Sequence, residues 1–278
     1  MRIGLLLLAA LWVACLPGEG RPRNFVVAGQ SNAVGGSLQA TPLTNGIAWA
    51  FDLTGVWVRA NDPTIHFPRG SHSSPWPEFV LSDHDVHGQR VNLIATALGA
   101  TCLMLGNADW KPVAGAVFPE PGWAYQAMLD AIRASGVATV DAVLWHQGEC
   151  DAQAAQDAQI SPAKTRKRYT QALVELGEAI LRDTGALTVA APISLTRCRW
   201  DDPTVTPPMD LTCDVLGSIA HKRIPIHDAT IEAVSSRPDL FALGPLSDDL
   251  LHEPDNAHIH DVNELGRRWA SAVHAAGL

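Results

Sequence analysis

Phe25-Val26-Val27-Ala28-Gly29-Gln30-Ser31-Asn32 decides how this chain reads: four apolar residues run without interruption into a glycine, and polar side chains follow at once. A short apolar run with no polar alternation suits a strand covered on both faces, as in a parallel sheet. Val91 to Ala97, Val140 to His146, Leu187 to Ile193 and Leu240 to Leu243 have the same character. Between them the period becomes helical. Tyr169, Ala172, Leu173, Leu176 and Ile180 recur at helical spacing after Ser161-Pro162, an N-cap followed by proline at the first helical position, and Gly185 closes the segment. Met128, Leu129 and Ile132 repeat the pattern, as do Leu265, Trp269, Ala272 and Val273 after the capping candidates Asp261 and Asn263. Strands alternating with helices predict an α/β fold with a doubly wound parallel sheet. Ala48 to Phe51 and Val56 to Val58, either side of Thr54-Gly55, read as a small hairpin in the first long connection.

The chain has 278 residues, which fits one domain of ordinary to large size. Apolar residues make up 47% and charged residues 18%, a balance that buries a sizeable core and argues against disorder. A formal charge of -9 repels nucleic acid, and the only basic run, Lys164 to Arg168, reads as a solvated helix face. Met1-Arg2, the apolar stretch Ile3 to Leu16 and Pro17-Gly18-Glu19-Gly20 have the layout of a secretory signal peptide, shorter than the roughly 20 residues of a bilayer span. The expectation is a leader over 1–20, one domain over 21–278, no stable membrane span, and a secreted or periplasmic enzyme. Cys15 raises a lipoprotein reading, against which Trp12 stands three residues before it, where leucine is usual.

Without the leader four cysteines remain, Cys102, Cys150, Cys198 and Cys213. An oxidising compartment makes disulfides possible. Cys198 and Cys213 flank an Asp- and Pro-rich segment, residues 199–212, that reads as a surface insertion tied by a bridge, or else as carrying two free thiols. Cys102 and Cys150 each follow a predicted core strand and read as buried free cysteines.

Open α/β sheets bind ligands beyond the carboxyl ends of their strands. That rule selects Gly29-Gln30-Ser31-Asn32, Gly99-Ala100-Thr101, His146-Gln147-Gly148-Glu149 and Asp255 to His260. Ester hydrolysis by serine needs a base for its proton, an acid to orient that base, and donors for the oxyanion. Ser31 stands at a strand-to-loop corner, as a nucleophile or as a turn serine. Asp255 lies three residues before His258, as the orienting acid of a general base or as part of a polar loop. His252, Glu253, Asp255, His258, His260 and Asp261 cluster closely enough to raise a metal site. No other fixed ligand spacing accompanies them, so neither metal nor cofactor is assigned. Trp57, Trp76, Trp110 and Trp123 fall in loops, where they can stack on a sugar ring or serve packing.

Taken together, these blocks resemble one family. Phe25 to Asn32 is similar to the first block of SGNH hydrolases in the sialate O-acetylesterase and plant acetylesterase branch, carbohydrate esterase family six. Leu144-Trp145-His146-Gln147-Gly148-Glu149-Cys150-Asp151 resembles that branch's most specific motif, with Cys150 where serine is usual. Asp255 to His258, followed by Leu265-Gly266-Arg267-Arg268-Trp269-Ala270, resembles its final block, and the likeness spans about residues 24 to 274. Ser74-Pro75-Trp76-Pro77 and Ala97-Leu98-Gly99-Ala100-Thr101 fit less well, because Ala100 stands where the family has the second glycine of a pair.

The resemblance implies a flavodoxin-like three-layer sandwich around a mainly parallel five-stranded sheet. It implies that Ser31 attacks the ester carbonyl, His258 shuttles the proton and Asp255 holds His258. The oxyanion donors would be the backbone N–H groups of Ser31 and Gly99 and the Gln147 side chain, an amide that is a donor at any working pH, or else Gln147 is a buried amide bracing the loop. Gln30, Asn32 and Glu149 would support the site, Glu149 by ordering its loops, and His146 is structural. The activity implied is removal of small acyl groups, acetyl foremost, from carbohydrate or another small ester. Alternatives are a glycan-binding domain of the same fold without turnover, and a lipase-like enzyme for longer acyl chains.

Overall fold

The computed structural model describes residues 20–37, 39, 41–52, 54–62, 73–194, 196–200, 211–215, 217–250 and 258–278, with backbone alone at 196–200, 211–215 and 217–222. The expected leader, 1–20, lies outside them except for Gly20, and so does Cys15. No helix among the described residues is long and apolar enough to cross a membrane.

Five parallel strands form the centre: β1 (Arg23–Gly29), β4 (Val91–Ala95), β5 (Ala142–His146), β6 (Leu187–Ala191) and β9 (Phe241–Leu243). They lie in the order β4-β1-β5-β6-β9, which is second, first, third, fourth, fifth along the chain. This is the flavodoxin-like order, whose direction of winding reverses beside the first strand. The hairpin of β2 (Ala48–Phe51) and β3 (Trp57–Arg59) does more than decorate a loop. β2 pairs in parallel with β4, so the sheet has seven strands and not five. The edge of β4 would otherwise expose a row of unpaired backbone groups, and covering it is the physical reason for the addition.

Alternate residues of β1 explain why the run is apolar throughout. Phe25 and Val27 enter a core with Trp76, Phe79, Val80, Leu265 and Trp269, which come from α2 (Trp76–His87) and α7 (Val262–Ala275). Val26 and Ala28 point the other way, into a core with Tyr125 and Met128 of α3 (Trp123–Ser135) and Leu173, Leu176 and Ile180 of α5 (Pro162–Thr184). α5 begins at Pro162 after the N-cap Ser161 and ends before Gly185, as its sequence predicts. Lys164, Arg166, Lys167 and Arg168 are exposed, as a solvated face requires.

Between β6 and α6 (Gly217–Ser236) the chain forms a separate two-stranded ribbon, β7 (Thr196–Trp200) with β8 (Leu211–Val215). Its register sets the backbone of Cys198 opposite Cys213. Facing positions in an antiparallel pair are about 4.5 to 5.5 Å apart between α carbons, within the range a disulfide spans.

The last pair of the β1 and β5 ladder is Gly29 with His146. A β carbon at residue 29 would lie 2.1 Å from the His146 carbonyl oxygen, at a backbone φ of 119°. Both contact and conformation oppose any side chain there. Gly29→Ala is expected to destabilise the fold by about 3 kcal/mol, read as a lowered urea midpoint at unchanged slope. A midpoint within error of the parent would contradict this account of the corner.

Candidate active site

Ser31 opens α1 (Ser31–Val34), directly after the β1 corner. Two loops flank that corner. Leu98 N–H donates to the Gly29 carbonyl at 2.9 Å, and Gln30 N–H donates to the His146 carbonyl at 3.0 Å. Gly99 therefore follows immediately on one side and Gln147 on the other. Ser31 is half-buried, whereas its neighbours Gln30 and Asn32 are buried. Among the described residues no acceptor takes the Ser31 or Gly99 N–H, so both remain available at the corner.

The buried neighbours tie the corner to the other blocks. Gln30 Oε1 accepts from Cys150 N–H at 3.2 Å. Asn32 Nδ2 donates to Glu149 Oε1 at 2.7 Å, and its Oδ1 accepts from Ile259 N–H at 3.1 Å. One amide thus joins α1 both to the start of α4 (Glu149–Asp157) and to the residue after His258. The His258 ring lies over Gly36, where a β carbon would come within 2.6 Å of its Cγ. Ser37 Oγ donates to the His260 carbonyl at 2.8 Å. Both histidines are half-buried. On the far side, Trp76 Nε1 donates to the Ala33 carbonyl at 2.6 Å and pins α1 to the core. Asp255, with His252 and Glu253, lies outside the described residues.

Gln147 faces inward. It is fully buried, and its Nε2 donates to the Thr101 carbonyl at 2.5 Å. In this position the amide braces the Gly99 loop from behind with one N–H, and only its second N–H is left for a role as oxyanion donor. His146 is buried against Trp269, ring centroids 6.2 Å apart, and burial pushes its pKa down so that the ring stays neutral.

The sequence reading missed how densely that loop is fastened. Cys102 and Cys150 are not free thiols. They form a disulfide, with α carbons 5.2 Å apart and a sequence separation of 48. Their strands, β4 and β5, are the two neighbours of β1, and the loops after them close over its end. Asp151, wholly buried, accepts N–H groups from Leu103, Met104 and Leu105 at 2.8, 2.9 and 3.0 Å. Its burial outweighs those bonds, and its pKa is pushed up to about 6. Asp109 accepts from Cys102 N–H at 2.9 Å and from Trp123 Nε1 at 2.6 Å. The only signal available in sequence was Cys150 itself, out of place in its motif.

The chain-entropy model assigns about 4 kcal/mol to a crosslink spanning this separation of 48 residues. Cys102→Ser with Cys150→Ser is expected to lower unfolding free energy by that order and to lower kcat/KM through a loosened Gly99 loop. Urea denaturation and ester hydrolysis measure the two effects. Unchanged values in both would remove the bridge from this site.

The SASA family model, described as carbohydrate esterase, sialic acid-specific acetylesterase, matches residues 22–201. No curated protein sequence matches the chain. Among solved structures, a protein from Arabidopsis thaliana superposes with a TM-score of 0.66 at 16% identity, covering 92% of this chain and 99% of that one. A carbohydrate acetylesterase from Xanthomonas citri gives 0.57 at 12%, covering 91% and 56%. Another, from Sinorhizobium meliloti, gives 0.50 at 15%, covering 91% and 99%. At these identities the structures speak for the fold, while the family model covers most of the chain, blocks one to three of the site included: the chain belongs to the carbohydrate esterase family of sialic acid-specific acetylesterases.

Proposed function

We propose that this protein is a serine esterase that removes acetyl groups from carbohydrate through an acyl-enzyme on Ser31. The observation that carries the reading is Asn32, whose two hydrogen bonds hold the serine corner, Glu149 and the His258 loop together at the reversal point of the sheet. Ser31 Oγ attacks the ester carbonyl carbon while His258 takes the hydroxyl proton. The alcohol leaves with that proton. A water then gives a proton to His258 and attacks the acyl-enzyme, releasing acetate and restoring Ser31. Asp255 is assigned by its spacing as the acid that orients His258. The Ser31 and Gly99 N–H groups form the oxyanion site, with the second N–H of the Gln147 amide as a third donor.

Ser31→Ala is expected to keep the fold and to lose hydrolysis of acetyl esters by several orders of magnitude. His258→Ala should lose nearly all kcat, and His260→Ala no more than about tenfold. Gln147→Ala should lower kcat by roughly 10²-fold at similar KM if the amide reaches the oxyanion. A fall in stability without that kcat effect would leave it as a brace. Near-parent activity in folded Ser31→Ala would sink the proposal, and a preference for long acyl chains would turn it towards a lipase.

We also propose export, with residues 1–20 as the leader. The Cys102–Cys150 bridge supports this, because structural disulfides persist in oxidising compartments. Amino-terminal sequencing of exported protein should start near Arg21, and a chain that retains Met1 and stays in the cell would refute it.

A further inference from the structure

The loop that carries Gly99 is also one wall of a cavity of about 550 Å³. The disulfide Cys102–Cys150, Asn107, Phe118 and Trp123 are among the residues that line it. Of the four tryptophans picked out in the sequence, Trp76 and Trp110 are wholly buried, with their indole N–H groups on the Ala33 carbonyl and Thr101 Oγ1. Trp57 packs edge-on against Phe51 and donates to the Ser135 carbonyl. Trp123 alone of the four lines the cavity, its orientation fixed by Asp109. Phe118 stands edge-on to it, centroids 5.1 Å apart at 89°, and is 72% exposed. A phenyl ring held upright by a keyed indole, yet left in water, is an aromatic surface awaiting a ligand.

The rest of the lining decides which ligand. Gly99, Ala100 and Gly106 offer backbone, and exposed Asn107 offers one amide donor pair and one acceptor. An alkyl chain would want apolar walls all round, whereas a sugar has an apolar C–H face and a polar rim. Among the described residues no lysine or arginine lines the cavity, and the ionisable side chain in its wall is the acidic Asp109. A carboxylate-bearing sugar would therefore meet no counter-charge, in a protein whose formal charge is already -9.

We propose that this cavity is the subsite for a neutral pyranose unit of the acetylated substrate. The sugar's C–H face lies on the exposed Phe118 ring, with Trp123 standing perpendicular behind it as its support, its hydroxyls meet Asn107, and its ester enters beside Gly99 towards Ser31. This rests on the esterase reading above.

The test compares three esters by release of acetate: ethyl acetate, which has no sugar; an acetylated xylo-oligosaccharide, which is neutral; and 9-O-acetyl-N-acetylneuraminic acid, which is anionic. The parent protein should favour the neutral sugar over the anionic one at least tenfold in kcat/KM. Phe118→Ala and Asn107→Ala should each raise KM for the neutral sugar about tenfold, leave ethyl acetate within about twofold, and Phe118→Trp should restore the sugar KM. Equal losses on ethyl acetate and sugar, no loss on the sugar, or preference for the sialic acid ester would each overturn the subsite. Should the parent hydrolyse none of the three, the esterase reading fails by itself. Calorimetric titration with unacetylated xylotriose then decides the subsite: binding that Phe118→Ala removes sustains it, and no binding overturns it.

Discussion

The first strand has no room for a side chain where it meets the fifth. A β carbon on Gly29 would stand 2.1 Å from the His146 carbonyl oxygen, so the bare α carbon keeps β1 in register with β5 to the final pair and then turns. Because the turn falls there, the His146 carbonyl takes the Gln30 N–H, the Gly29 carbonyl takes the Leu98 N–H, and Ser31 emerges between two neighbouring loops. Every other part of the site is fitted to that corner. Gln30 reaches Cys150 and Asn32 reaches Glu149 and Ile259, so the second residue of a four-residue helix positions chain more than two hundred residues away.

The fastening of these loops is polar for a reason. Loop backbone that is drawn into a protein needs partners for its N–H and C=O groups, and here side chains supply them. Asp151 satisfies three consecutive N–H groups, Asp109 one more, and Gln147 a carbonyl. Burying a carboxylate works against this arrangement. Three bonds do not recover the hydration Asp151 gave up, which is why its pKa stands near 6. Because that pKa stands above the usual carboxylate value, proton uptake by Asp151 as pH falls through about 6 favours the folded state, whereas the disulfide beside it does not titrate. The two fastenings act side by side, the bridge on Cys102 and Asp151 on Leu103 to Leu105, and only the second responds to pH.

What the sequence disclosed follows from what is local. β1 is apolar throughout because Phe25 and Val27 face one core while Val26 and Ala28 face the other, and that duplicity is written in four letters. α5 announced both ends through Ser161-Pro162 and Gly185. α6 did not, since Pro225 lies inside it and breaks the usual helical signal. The serine corner and the motif from Trp145 to Glu149 were legible as neighbouring blocks, which the fold brings together through Gln30 and Asn32. The bridge between Cys102 and Cys150 was not, because two cysteines 48 positions apart become neighbours only once the strand order places β4 and β5 on either side of β1. A bracing role for Gln147 was among its readings, but the group it braces was hidden, as it depends on where the Thr101 carbonyl points.

Two departures from the family's pattern turn out to be adjacent. Ala100 replaces a glycine and keeps a left-handed backbone, φ 62°, which costs a residue with a β carbon roughly 1 to 2 kcal/mol. Cys150 replaces a serine, and its Sγ lies 3.9 Å from the Ala100 carbonyl oxygen while bonded to Cys102. A strained residue persists only where its surroundings leave it no alternative. Here Thr101 is held by Gln147 and Cys102 by both Asp109 and the bridge, so the two residues after Ala100 cannot yield. The crosslink and these bonds thus fix the chain directly after Ala100, in the loop that carries Gly99.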